Sequence, residues 1–145
     1  TLIFMKRLFK TLAVLLFVVF AFAGCSYEVG VDMEVIYIDA KKNNWQISGK
    51  EGEEGCYQFQ EFKFPEITNA VLNEGAVLVY YIDKEGRDNM LPLVLPYDKG
   101  RETVIETIRF DCEKGYLTLI IESSDFMAVP SSRDIRFKVC ILKPY

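Results

Sequence analysis

The chain has 145 residues, half of them hydrophobic, with 21 acidic against 17 basic side chains for a formal net charge of −4, and it contains no histidine. That length supports one domain around one core. A Ser-His-Asp or Cys-His nucleophile and any His-ligated zinc or iron site are excluded within it, and a net acidic domain without a basic cluster lacks the cationic face that nucleic-acid phosphates demand.

The first element in the chain is apolar and short. Lys6, Arg7 and Lys10 follow Met5 with no acid before Glu28, and residues 12–22 are apolar throughout. A run of about eleven residues cannot cross a bilayer core of about 30 Å, which takes roughly 20. It has the dimensions of a signal-peptide hydrophobic region behind a positive start. Translation is expected to begin at Met5, with residues 1–4 an upstream extension and residues 1–24 a signal helix that is removed. The alternative is an uncleaved membrane helix over residues 8–23 with an incidental cysteine.

The run ends in Phe22-Ala23-Gly24-Cys25. This tetrapeptide resembles the lipobox of bacterial lipoproteins, with Phe22 standing where the family usually has Leu and small Ala23 and Gly24 at the positions before the cut. The resemblance implies cleavage between Gly24 and Cys25, a thioether from Cys25 to diacylglycerol, and usually acylation of the new amine. Two or three acyl chains make a stable anchor, because each buried CH₂ adds about 0.8 kcal/mol and one chain alone is marginal. Ser26 in place of the Asp associated with inner-membrane retention implies the outer membrane. With only Glu28 and Asp32 acidic nearby, the expected orientation faces the periplasm, and surface display is the other orientation. The mature domain is then residues 25–145, three units more negative than the whole chain, since the removed segment holds Lys6, Arg7 and Lys10 and no acid.

Beyond Cys25 the chain reads as short strands broken by turn signals. Residues 31–39 alternate, with Val31, Met33, Val35 and Tyr37 on one parity, and residues 44–48 and 56–64 are further strands around a charged, Gly-rich loop at 49–55. Residues 65–75 predict one or two helical turns, with Pro65 near the start, Ile67, Val71 and Leu72 on one face and Gly75 as a left-handed stop. Residues 76–83 are apolar on both parities, which predicts a central strand. Residues 90–97 form a strand carrying Pro92 and Pro96, which predicts a sheet edge. Residues 103–112 and 116–123 flank a turn at 113–115 as a hairpin, with Ile108, Phe110 and Cys112 sharing one face and Leu117, Leu119 and Ile121 another. A long connection at 124–134 leads to residues 135–142, where Ile135, Phe137, Val139 and Ile141 point inward and Arg136 and Lys138 outward. The whole predicts an all-β antiparallel β-sandwich of about seven strands in an Ig-like layout, with one short helix. The layout from Trp45 through residues 67–82 to residues 136–142 is similar to small Bacteroides-type lipoproteins of unknown function; the resemblance implies a sandwich and no activity.

With Cys25 committed to lipid, Cys56, Cys112 and Cys140 remain, an odd number with no CxxC, so at most one disulfide forms within the chain and buried free thiols are expected. Cys112 shares its parity with inward Ile108 and Phe110, whereas Cys140 is opposite in parity to Phe137 and Val139, so the two are expected to face different sides and stay unbonded.

The candidate sites are few. Asp83, Glu85 and Asp88 suggest a calcium loop, but Lys84, Arg87 and the spacing fit a solvated hairpin turn instead, and no metal or cofactor is expected. Trp45, Tyr57 and Tyr97 are candidate ligand contacts, able to stack on sugars or a peptide, and equally able to serve as core. The predicted function is a lipid-anchored envelope lipoprotein that acts as a binding or structural assembly module for an envelope protein or glycan. The alternative is a small carboxylate-based hydrolase acting on glycans, which needs no histidine. An exposed apolar patch or groove would favour the first, and a cleft where two acids converge the second.

Overall fold

A computed structural model describes residues 32–128 and 134–144. It contains nine strands and one helix in the order β1 (Asp32–Ala40), β2 (Gln46–Ser48), β3 (Tyr57–Lys63), α1 (Asn69–Glu74), β4 (Ala76–Ile82), β5 (Asp88–Met90), β6 (Leu93–Lys99), β7 (Glu102–Glu113), β8 (Tyr116–Ser123) and β9 (Ile135–Lys143). The strands form two antiparallel sheets. Sheet A has the order β1-β9-β4-β5 and sheet B the order β2-β3-β8-β7-β6. The described residues therefore form an all-β sandwich with one short helix, and the first and last described strands are neighbours.

Alternation explains the core. On β9, Ile135, Phe137, Val139 and Ile141 are buried, and the register sets them beside Ile36 and Ile38 of β1 and Val77, Val79 and Tyr81 of β4. From sheet B, Ile108, Leu117, Leu119 and Ile121 join the same cluster, with Phe110 and Cys112 packed against it. The ring of Tyr81 meets Phe137 edge-on at 6.0 Å between centroids, a favoured aromatic geometry. The β7–β8 hairpin closes through Lys114 and Gly115, and Gly115 adopts φ 81°, a conformation only glycine takes at no steric cost. Its tip is tied down: Gly115 N–H donates to the Ile67 carbonyl and its own carbonyl accepts from Phe64 N–H, both at 2.8 Å.

Two local expectations are corrected. Residues 90–97 are not one strand. Met90 ends β5 opposite Tyr80 in sheet A, while Leu93 starts β6 opposite Ile108 in sheet B. The chain changes sheets at the cis Leu91–Pro92 peptide, with Leu91 buried and its N–H donating to the Val79 carbonyl at 2.9 Å. Pro92 has no N–H to continue a ladder, so one apolar run serves both sheets, and both of its halves are edges. The division adds one strand to the about seven expected, and nine are present.

The second correction concerns the helix and its stop. The helix begins not at Pro65 but after Thr68, whose Oγ1 accepts from Val71 N–H at 3.3 Å as the N-cap. Ile67 and Val71 are buried, but Leu72 is exposed. Gly75 is not left-handed: it has φ −106° and ψ −154°. It is glycine because a Cβ there would lie 2.2 Å from the Leu142 carbonyl oxygen of β9. Close backbone approach, rather than a turn, selects the residue.

Candidate functional site

The outer face of sheet A is built from the residues that alternation turns away from the core. On β1 these are Met33, Val35 and Tyr37, and the register aligns them across the sheet. Val35 lies beside Cys140, which lies beside Leu78; Tyr37 lies beside Lys138, then Tyr80, then Met90. Met33, Val35, Tyr37 and Met90 are 56%, 43%, 54% and 57% exposed. Cys140 is nonetheless buried among its neighbours on this face.

The charges on this face are compensated within it. Lys138 Nζ lies 4.5 Å from the Tyr80 ring centroid and pairs with Asp88. The Asp88 carboxylate holds the Lys138 ammonium above its ordinary pKa, chiefly through that hydrogen bond. The Arg136 guanidinium lies 5.4 Å from the Tyr37 centroid and 3.7 Å from Asp39. Cations drawn over aromatic faces keep their stems on apolar surface. The result is an exposed apolar sheet face with no uncompensated charge at its middle.

The outer face of sheet B is mixed: Val94 and Ile105 are exposed on it, beside a cluster of paired charges. Arg109 donates to Glu122 at 2.8 and 3.1 Å and to Asp111 at 2.9 and 3.0 Å, and its hydrogen bond to Glu122 leads in holding the guanidinium above its ordinary pKa. Tyr57 lines two open recesses on this face, one of about 440 Å³ with Glu54, Glu122 and Phe126, the other of about 350 Å³ with Phe59, Asp111 and Ile120. Glu122 at the larger recess is already the counter-ion of Arg109. The carboxyl that burial raises is Glu106, and β7 alternation turns it to the opposite face from Ile105 and Thr107, which line that recess. A proton-donating acid and a free carboxylate do not converge there.

The three aromatic candidates do not share a surface. Trp45 packs against the core, and its Nε1 is buried without a hydrogen-bond partner. Continuing the Gln46–Phe59 register by one residue sets Trp45 opposite Gln60, whose Oε1 is likewise buried and unpartnered. Tyr57 stands on the outer face of sheet B. Tyr97 lies on β6, paired with Val104 and separated from β3 by the two strands β8 and β7, with the parity of the inner face. Gly24 and Cys25 lie outside the described residues.

Asp83 organises the β4–β5 turn. Its carboxylate accepts from the N–H groups of Glu85 at 3.0 Å and Arg87 at 2.8 Å and from Arg87 Nε at 2.8 Å. The backbone bond from Arg87 leads in holding it below the usual carboxylate range. Its oxygens are engaged within the turn, and among the described residues no three of His, Cys, Asp and Glu are grouped to hold a metal ion. Cys56, Cys112 and Cys140 are free thiols. Cys112 points between the sheets, where burial raises its pKa to about 11, and Cys140 points to the outer face of sheet A, so their parities separate them.

No protein-family model, no curated protein and no solved structure matches the chain. Among the described residues no helix is long and apolar enough to cross a membrane.

The surface that sequence reasoning missed is the β1 row. Its signal was present, since Met33, Val35 and Tyr37 alternate with Ile36, Ile38 and Ala40 and both sets are apolar. A strand apolar on both parities in a two-layer sandwich buries one set and presents the other.

Proposed function

We propose that this chain is a lipid-anchored envelope module that works by binding, with the outer face of sheet A as its working surface and a protein as its partner. The observation that supports the reading is the exposed row Met33, Val35 and Tyr37 on β1, joined across the sheet by Met90. Apolar side chains aligned on one face, with their neighbouring charges already paired, suit a protein surface better than a sugar or a nucleic acid. Chain order supports the anchor as the delivery device. β1 starts seven residues after Cys25, and seven residues span at most about 24 Å. A lipid on Cys25 would hold this face at the membrane, where envelope partners are found.

The anchor is tested by Cys25→Ala. The variant is expected to accumulate as a larger precursor or to be released in soluble form, and to lose labelling by a palmitate analogue. Lipid label persisting on the variant would contradict the assignment.

A further inference from the structure

The sandwich has four edge strands, and three are blunted. β2 and β5 are three residues long. β6 carries Pro96, Asp98 and Lys99, and proline and charge are both devices that block strand addition. β1 is neither short nor broken by proline, and its only charges are the acids Asp32, Glu34 and Asp39. It runs for nine residues, all in unbroken register with β9, with no proline, glycine or lysine. Its other side is met by no strand among the described residues. Two of its acids do not guard it either, because both are drawn towards cations of β9: Glu34 pairs with Lys143 at 2.7 Å and Asp39 with Arg136 at 3.7 Å.

We propose that the open edge of β1 pairs antiparallel with β1 of a second copy of this chain, joining two copies of sheet A into one eight-stranded sheet. Antiparallel pairing of a strand with itself is isologous and closes as a dimer. Side chains share a face only in registers that set odd residues opposite odd and even opposite even. The three most central registers set Val35 opposite Val35, Ile36 opposite Ile36, or Tyr37 opposite Tyr37. In none of them does Asp32, Glu34 or Asp39 meet another acid, so the like-charge opposition that destabilises a cross-strand pair is absent. The two-fold axis stands perpendicular to the sheet. Both outer faces then point the same way, and the rows Met33, Val35 and Tyr37 of the two copies merge. The proposal rests on the reading of sheet A as the working surface, names the partner, and does not depend on lipid at Cys25.

The test is a charge swap at exposed positions. Val35→Lys with Tyr37→Lys places lysine opposite lysine in all three registers, and Val35→Glu with Tyr37→Glu does the same with acids. The full mature chain in mild detergent is expected to sediment as a dimer. The glutamate variant alone should dimerise at least about tenfold more weakly, since it sets acid opposite acid in every register, and an equimolar mixture with the lysine variant should restore dimers as lysine–glutamate heterodimers, which a folding defect would not do. A wild-type chain that is monomeric at every concentration, a glutamate variant that dimerises as well as wild type, or a mixture that stays monomeric would each overturn the proposal. A monomeric wild type whose sheet A face is nevertheless shielded in the envelope would keep the working surface and assign it to a different protein.

Discussion

Replacing Phe137 with alanine is expected to cost about 3–5 kcal/mol, the range for removing a fully buried aromatic. Phe137 is 0% exposed at the middle of β9, between Ile38 of β1 and Tyr81 of β4. Its loss removes the edge-on contact with Tyr81 and opens a cavity in the layer where sheet A meets sheet B. A domain of this size has a total stability of roughly 5–15 kcal/mol, so one truncation would remove about a fifth of it or more. Urea denaturation of the full chain measures the effect. A loss below about 1 kcal/mol would mean that the two sheets do not pack through this residue.

Gly75→Ala tests a different cause, and the sign of its effect is the informative quantity. At the end of a helix with an ordinary negative φ, local propensity alone predicts that alanine stabilises by about 0.4–1 kcal/mol. The tertiary structure predicts the reverse. The new Cβ would lie 2.2 Å from the Leu142 carbonyl oxygen and 3.0 Å from that of Val71. Both are backbone atoms, so relief requires β9 or the end of α1 to move. The expected loss is at or beyond the upper end of the about 1–3 kcal/mol typical of overpacking. Thermal unfolding of the variant beside wild type decides between the accounts, and a raised melting temperature would exclude this close approach.

Much of the fold is legible in the sequence where alternation is clean. On β9 and on the β7–β8 hairpin, inward apolar residues alternate with polar or charged ones, and a single parity fits. The sheet change at Pro92 is not legible, because Met90, Leu91 and Leu93 are apolar on either side of it and nothing local tells which sheet each half joins. The orientation of β1 is hidden for a related reason: both of its parities are apolar, and only the register with β9 decides that Ile36 and Ile38 go in and Tyr37 goes out. Gly75 was legible as a required glycine but for the wrong cause, since its reason is the Leu142 carbonyl, 67 residues away in sequence. Trp45, Tyr57 and Tyr97 stood out by type, yet type carries no information on which strands bring them together. What they share is chemistry, and the topology sends them to three separate places.

The claim that the outer face of sheet A is the working surface is tested most directly by methionine oxidation in place. Met33 and Met90 lie on that face and Met127 lies elsewhere, and all three are exposed, at 56%, 57% and 37%. Hydroxyl-radical footprinting of the purified chain and of the chain in intact envelopes compares them, with Met127 as the internal control. The account predicts that Met33 and Met90 are oxidised several-fold more slowly in the envelope while Met127 is unchanged. Met33 and Met90 oxidised as fast in the envelope as in the purified chain would contradict it.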